Sequence, residues 1–372
     1  MIELDALTKQ FPQKQGLTTA VDQVSMTVNS GEVCVFLGPS GCGKTTTLKM
    51  INRLIEPTSG RILINGSDTL SVDKVELRRS LGYVIQQVGL FPNMTIKDNI
   101  TVVPKLLGWS KQRMHERACE LMSMVALEPA QYLSRYPNEL SGGQQQRIGV
   151  IRALAADPPL LLMDEPFGAI DPINRSAIQD EFLMMQQQLR KTVIMVSHDI
   201  DEALKLADKI AMFRDGKLVQ FATPDELLAS PADDFVATFT GRDSTLKRLL
   251  LVSAGDAAAL PLSITPETSV AKAREVTEEH DRHHVIIADA QGKALGFVRR
   301  RDLRGVLEDR PVGDYRQPFA VTTTAEDNLR VLLSRMYEYN TLWVPVLDDE
   351  GRLIGEVSQD SIAARLSQNA DE

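Results

Sequence analysis

The sequence predicts an α/β protein in two parts. Residues 1–240 form a unit built on a mostly parallel sheet, and residues 263–367 form a smaller α+β unit that is duplicated within itself. Three observations carry this. Short apolar runs alternate with helix-period segments through the first part, the pattern of parallel strands joined by helices. A glycine-rich turn at Gly38–Thr45 connects one such run to a helix. The last third repeats its own pattern at a fixed offset, as duplicated units do.

The bulk properties agree. The chain has 372 residues, more than one ordinary domain of about 100–200. Hydrophobic residues make up 43% and charged residues 24%, enough for a core of normal size. A net charge of −9 argues against a general nucleic-acid binder, which carries a basic field. The N-terminus lacks the basic start and apolar run of a secretory signal, and no stretch reaches the roughly 18 apolar residues of a membrane span. The expected location is cytoplasmic, with any membrane part supplied by a partner. Cys34, Cys42 and Cys119 have neither disulfide-framework nor zinc spacing.

Each element follows from its residues. Gly31–Leu37 is an apolar strand entering the glycine-rich turn, and Thr45–Leu54 reads as the helix that leaves it. Residues 93–140 are helical in pattern, with Met114–Val125 amphipathic, and make an inserted helical subdomain. Leu160–Met163, after the breaker Asp157-Pro158-Pro159, is a second buried strand; Thr192–Val196 is a third. Residues 241–262 change character, with a small and polar stretch at Ala254–Ala259, and predict a linker with a short helix at Thr245–Leu251. Two copies follow, at 263–309 and 316–367, before a short tail at 368–372. Glu267 and Glu326, Val285 and Val344, Asp289 and Asp348, Gly292 and Gly351, and Gly296 and Gly355 are each 59 positions apart. Each copy runs through an amphipathic helix, an apolar strand, an acidic-glycine turn, a second strand and a second helix.

Gly38-Pro39-Ser40-Gly41-Cys42-Gly43-Lys44-Thr45 fits G-x-x-x-x-G-K-[ST] between a strand and a helix. Gly38, Gly41 and Gly43 let the backbone wrap a phosphate without side-chain clash. Successive N–H groups along Ser40, Cys42 and on to Thr46, with the helix N-terminus, then face the anion. Lys44 is expected to reach the β- and γ-phosphates, and the Thr45 hydroxyl to ligate Mg²⁺. Leu160–Glu165 places two carboxylates at the C-terminal end of an apolar strand, where α/β sheets hold their ligand chemistry. Asp164 suits Mg²⁺, directly or through water, and Glu165 suits a general base that polarises an attacking water. A solvated acidic strand end is the plainer alternative; the neighbouring phosphate loop weighs against it.

Leu140-Ser141-Gly142-Gly143-Gln144 precedes a helix predicted at Gln145–Ala156, and Ser141 with Gln144 has the form of a capping box. That alone is an ordinary helix start. The same physics makes Ser141, Gly143 and Gln144 a second phosphate cradle. One ATP needs one cradle from its own subunit, so a second implies a site shared between chains. Cys42 lies inside the first loop, where a helix N-terminus lowers a thiol pKa. Thiol reagents are therefore expected to inhibit, and ATP to protect.

These motifs, in this order and spacing, resemble the ATPase subunit of ABC transporters. The resemblance implies a P-loop NTPase domain with a helical subdomain, using ATP and Mg²⁺. Gln86, after Gly82-Tyr83-Val84-Ile85, resembles the glutamine that contacts Mg²⁺ and water and senses the membrane partner. Ala169-Ile170-Asp171 resembles the loop that crosses the dimer interface and puts Asp171 near nucleotide. His198, in Ser197-His198-Asp199, resembles the γ-phosphate histidine, and Phe11 holds the position of the aromatic that stacks on adenine. The resemblance further implies a head-to-tail homodimer. Each ATP would lie between one chain's Gly38–Thr45 loop and the other's Ser141 and Gly143.

The duplicated unit resembles a tandem pair of CBS domains, which bind adenosine-containing ligands or serve in dimer contact. Nucleotide-binding copies carry G-h-h-[ST]-x-x-D, h being apolar. Here the first copy has Arg299 at the hydroxyl position and keeps Asp302; the second keeps Ser358 and has Ser361 at the aspartate position. Neither is complete, so a nucleotide ligand at this module stays open. An ABC ATPase followed by tandem CBS domains resembles the ATP-binding subunits of osmoprotectant importers, which move glycine betaine, carnitine, choline or proline betaine. Gln86–Thr95 and Lys105–Trp109 look like that group. Implied partners are integral membrane permease subunits and a periplasmic or lipid-anchored substrate-binding protein. The implied place is the cytoplasmic face of the plasma membrane. An importer of an amino acid or another small solute, and a soluble nucleotide-sensing ATPase, are the alternative readings.

Overall fold

The computed structural model describes residues 1–14, 16–86, 89–168 and 170–367, and of 172–174 only the backbone. Ala169 and the tail 368–372 lie outside the described residues. Contacts divide the chain into two units, Met1–Leu227 with Pro231–Thr240, and Leu228–Ser230 with Gly241–Glu372.

In the first unit β1 (Ile2–Gln13) and β2 (Gly16–Val28) form an antiparallel pair. β3 (Val33–Leu37) runs into the glycine-rich loop, and the helix Lys44–Ile51 leaves it. β4 (Ser59–Ile64) and β5 (Ser67–Asp68) complete an antiparallel sheet of order β2-β1-β4-β5. β6 (Leu81–Val84), β7 (Leu160–Asp164), β8 (Thr192–Val196), β9 (Lys209–Arg214) and β10 (Lys217–Ala222) join β3 in a second sheet, of order β10-β9-β3-β8-β7-β6. All neighbours in it are parallel except β9 and β10. β3, β7 and β8 are buried along their whole length. Strands covered on both faces read as unbroken apolar runs, which is how they stood out in the sequence.

One core joins the sheets. It takes Leu7 and Val24 from the antiparallel sheet, Phe36, Val196 and Phe213 from the parallel one, and Leu48 and Ile51 from the helix after the loop. The helical subdomain lies between β6 and β7, with helices Ile96–Ile100, Val102–Leu106, Lys111–Met124 and Pro129–Tyr132. The helix Gly142–Leu154 follows and starts three residues earlier than expected, because Ser141 and Gln144 close a capping box at its first turn.

In the second unit β11 (Ser263–Ile264), β12 (His284–Ala288) and β13 (Ala294–Arg299) form one sheet, and β14 (Trp343–Leu347) with β15 (Leu353–Ser358) forms another. The helices Val270–Glu279 and Leu329–Glu338 hold equivalent places, 59 positions apart like the strands. Each copy has its own core: Val270, Val285, Ile287 and Val298 in the first, Leu329, Leu332, Val344 and Val357 in the second. Residues 241–262, expected as a linker, carry helices Ser244–Arg248 and Ala254–Ala257. Leu249, Val252, Ala254 and Ala257 are buried in the second copy's core. Ala259 also exchanges both backbone hydrogen bonds with Glu356, at 2.9 and 3.0 Å.

Equivalent positions meet between the copies. The rings of His284 and Trp343 stack at 3.7 Å with an interplanar angle of 5°. Glu356 accepts from His284 Nε2 at 2.9 Å, while its equivalent, Phe297, meets Trp343 edge-on at 5.2 Å. One contact of the duplication is thus polar and its counterpart aromatic.

Candidate active site

The phosphate loop owes its shape to glycine. Gly38 has φ 145°, and a Cβ there would lie 2.2 Å from the Phe213 carbonyl oxygen. Gly43 has φ 105°, and a Cβ there would lie 2.5 Å from the Ala20 oxygen of β2. No L side chain fits either place. Lys44 is buried and folds back over its own loop, donating to the oxygens of Gly38 at 2.5 Å and Pro39 at 2.9 Å. Ser40 and Gly41 are exposed at the tip, and Thr46 is half-buried in the first turn of the helix.

Cys42 corrects one expectation. It is 4% exposed. Burial pushes its thiol above the ordinary range, outweighing the opposing pull of Lys44. Lys44 Nζ lies 3.7 Å from the sulfur. The lowered pKa expected from the helix N-terminus is absent because desolvation of the thiolate wins.

Asp164 ends β7 and is 6% exposed. Burial raises its carboxyl above the ordinary carboxylate range, with the Thr45 hydrogen bond pulling the other way. Thr45 Oγ1 donates to Asp164 Oδ1 at 2.9 Å. The loop and the strand end are therefore joined through the two residues expected to hold metal. A buried carboxylate beside a hydroxyl is a fitting pair of oxygen ligands for a hard cation. Among the described residues no group of three His, Cys, Asp or Glu converges as a metal site. A divalent ion at this pair would complete its shell with nucleotide phosphates and water.

Glu165 follows with φ 45°, left-handed backbone that is rare for a non-glycine residue. Its N–H donates to the Val196 oxygen at 3.1 Å. The sharp turn brings its carboxylate between two other strand ends. Gln86 Nε2, beyond β6, donates to Glu165 Oε2 at 3.0 Å. His198 Nδ1, beyond β8, lies 3.5 Å from the same oxygen. The strand order β8-β7-β6 makes these three neighbours.

The remaining predicted residues divide between two places. Phe11 sits on the β1–β2 hairpin opposite Thr18, 36% exposed, with Lys9 Nζ 5.0 Å from its ring centroid. The same hairpin supplies Ala20, which abuts Gly43. Ser141 Oγ accepts from the Gln144 N–H at 3.3 Å, and Gln144 Oε1 from the Ser141 N–H at 2.9 Å. Ser141, Gly143 and Gln144 line a concavity with Ile170 and Asp171.

Several residues at the site carried no motif. Buried Gln146 donates to the Pro166 oxygen and ties the helix Gly142–Leu154 to the turn after Glu165. Glu202, also buried, accepts from the Ser197 hydroxyl and from Gln179 Nε2. Burial raises the Glu202 carboxyl. Arg175 reaches both the Ile170 oxygen and Asp199. Each has at least one partner 20 or more residues away, Pro166 for Gln146, Gln179 for Glu202 and Asp199 for Arg175, so no local spacing marks them.

A phosphate loop joined to a carboxylate strand end, with glutamine and histidine flanking a glutamate, defines an ATP-binding cassette ATPase. The comparisons agree. The ABC transporter family model matches residues 21–168, and the CBS domain model matches 259–309 and 312–368. The chain is 62% identical over 370 residues to the osmoprotectant import ATP-binding protein OsmV of Salmonella typhimurium, covering 99% of this chain and 96% of that one. It is 44% identical over 368 residues to the glycine betaine/carnitine/choline transport ATP-binding protein OpuCA of Bacillus subtilis, covering 97% and 95%. A solved ATP-binding cassette, dimeric in a post-hydrolysis state with ADP and Pi, matches with TM-score 0.54 and 33% identity over 60% of this chain and 99% of that chain. The chain belongs to the family of osmoprotectant import ATP-binding proteins, ABC ATPases with tandem CBS domains. Among the described residues no helix is long and apolar enough to cross a membrane.

Proposed function

We propose that this protein hydrolyses MgATP between two copies of itself and so drives import of glycine betaine, carnitine, choline or proline betaine through separate membrane subunits. The observation that carries the reading is the convergence of Gln86, Glu165 and His198 beside the Thr45–Asp164 pair. Thr45 and Asp164 would hold Mg²⁺, which would supply positive charge to offset that of the nucleotide phosphates. Glu165 orients and deprotonates the attacking water. Gln86 and His198 hold the Glu165 carboxylate toward that water, and His198 meets the γ-phosphate. Lys44 exchanges its loop carbonyls for phosphate oxygens, and Phe11 stacks on the base.

A shared site is supported by the place of the second cradle. Ser141, Gly143 and Gln144 group with Ile170 and Asp171, which fits the helix N-terminus to a nucleotide carried by a second copy. Exposed Phe91 and Met94 after Gln86, and exposed Leu106 and Leu107, offer apolar surface for a membrane subunit. The protein then works at the cytoplasmic face of the plasma membrane, supplied by a substrate-binding protein. The cargo rests on the relatives' names, since cargo never touches this subunit.

The duplicated unit acts in regulation. Its incomplete nucleotide motifs are engaged internally: Gln317 Nε2 donates to Asp302 at 2.7 Å, and Ser358 and Ser361 each accept the other's N–H at 3.0 Å.

Two measurements test the reading. Glu165→Gln is expected to keep ATP binding and lose turnover by about 10²–10⁴-fold, the size of a general-base contribution; near-normal turnover would remove Glu165 from its role. Uptake of labelled betaine, carnitine and choline is expected to fall in cells lacking the chain. Unchanged uptake of all three would reject the cargo assignment.

A further inference from the structure

Arg175 stands outside every motif, yet it touches both loops that flank the glutamate. It lies in the helix Pro172–Leu189, one turn beyond Asp171. Its N–H donates to the Asp171 oxygen at 3.0 Å. Its Nη2 donates to the Ile170 oxygen at 3.0 Å. Its Nη1 lies 3.7 Å from Asp199 Oδ2. One guanidinium therefore bridges the 170–171 loop and the residue after His198. Arg175 also lines a small cavity with Glu165, His198 and Glu202.

Asp199 is well placed to pass on what Arg175 does. Its other oxygen, Oδ1, caps the helix Ile200–Leu206, accepting from the N–H groups of Asp201 at 2.9 Å and Glu202 at 3.3 Å. On the other side of His198, the Ser197 hydroxyl donates to buried Glu202 and accepts the Asp199 N–H at 3.0 Å. Glu202 in turn accepts from Gln179, on the same helix as Arg175. Arg175–Asp199 and Gln179–Glu202, the latter through Ser197, thus both hold the turn 197–199 to the helix Pro172–Leu189, and Lys205 adds links to Ser176 and Asp180 farther along. Only the first also grips the 170–171 loop. A planar guanidinium donates in two fixed directions at once, which a lysine ammonium does not reproduce.

We infer that Arg175 is a positioning residue for ATP hydrolysis: it holds the 197–199 turn so that His198 stays beside Glu165, and it ties that placement to the 170–171 loop. The inference rests on the reading of His198 as a working residue of the site. It makes the loop expected at the dimer interface and the catalytic histidine one mechanical unit. A shift of Ile170 and Asp171 reaches His198 through a single side chain.

The experiment is a double-mutant cycle on the full-length protein, reading kcat for ATP and nucleotide affinity. Arg175→Ala is expected to lower kcat by about 10-fold, with nucleotide affinity changed less than about 2-fold, as for a group that acts on the chemical step alone. In a His198→Ala background, Arg175→Ala is expected to cause no further loss, because the group it positions is gone. Asp199→Asn keeps a helix cap and removes the charge. It is expected to reproduce the Arg175→Ala loss even if that variant folds poorly, and Arg175→Lys to restore little. Losses that multiply in the double variant, or full kcat in both Arg175→Ala and Asp199→Asn, would overturn the role of Arg175. A silent His198→Ala would instead overturn the reading of His198, and is told apart by that single variant.

Discussion

Two side chains at the site depart from ordinary behaviour for opposite reasons. Glu165 takes left-handed backbone, a conformation that costs on the order of 1 kcal/mol or more away from glycine. The turn is held by its own N–H on Val196 and by Gln146 on the Pro166 oxygen. Cys42 departs through burial. Its thiolate would form beside a lysine, but the loop excludes water from the sulfur, and the raised thiol follows. The sign is direct: a raised value means less thiolate at neutral pH, and alkylation needs thiolate. Cys42 is therefore expected to react at pH 7 more slowly than a free cysteine, and to gain rate as pH rises past the usual thiol range. Mass spectrometry of iodoacetamide labelling across pH checks this. Fast labelling at neutral pH would contradict the burial account.

At the scale of an element, the helix Gly142–Leu154 begins with a device that serves two ends. The Ser141–Gln144 box satisfies N–H groups that a helix start leaves open. The same N–H groups and dipole suit a phosphate. Substitution separates the two. Ser141→Ala is expected to cost about 1 kcal/mol of stability, the usual value of a lost cap. Ser141→Asp retains a good cap, since aspartate ranks with serine there, yet sets a carboxylate where phosphate would lie. Its melting temperature is expected to hold near the parent's, and its ATPase rate to fall by at least about 10-fold, the effect of roughly 1.4 kcal/mol of repulsion. A parent-like rate would show that this helix start is structural only.

At the scale of the whole molecule, two units fold on separate cores, and in the second the duplication has diverged at its own seam. His284 and Trp343 are equivalent residues stacked on each other. Around them Glu356 is 4% exposed and bound to His284, with Arg282 Nη1 at 3.4 Å. Its equivalent, Phe297, is aromatic and needs no polar partner. Removing the carboxylate leaves a buried imidazole N–H unmet. Glu356→Ala is expected to destabilise the second unit by about 1–3 kcal/mol, the cost of an unsatisfied buried group. Calorimetry should show the shift in that unit's transition alone. An unchanged thermogram would mean that the seam carries little of the unit's stability.

Much of this protein is determined by contiguous residues. The loop Gly38–Thr45, the pair Asp164–Glu165, the box at Ser141–Gln144 and the 59-residue repeat each lie within one short stretch or one fixed period. Their chemistry is set by backbone conformation and neighbouring side chains, so composition and spacing suffice to read them. Other features were decided only in three dimensions. Gln86, Glu165 and His198 follow three strands far apart in sequence, and they meet because β6, β7 and β8 lie side by side in the sheet. Cys42 has a raised thiol because the fold desolvates it, which no local motif encodes. Residues 241–262 look like a tether where they turn small at Ala254–Ala259, yet Leu249, Val252, Ala254 and Ala257 find a core in the second copy. Arg175 has no motif at all; its partners Ile170 and Asp199 are brought together by the packing of a helix against a strand end. Local chemistry is written along the chain, whereas desolvation and long-range neighbours exist only once the sheet and its core have formed.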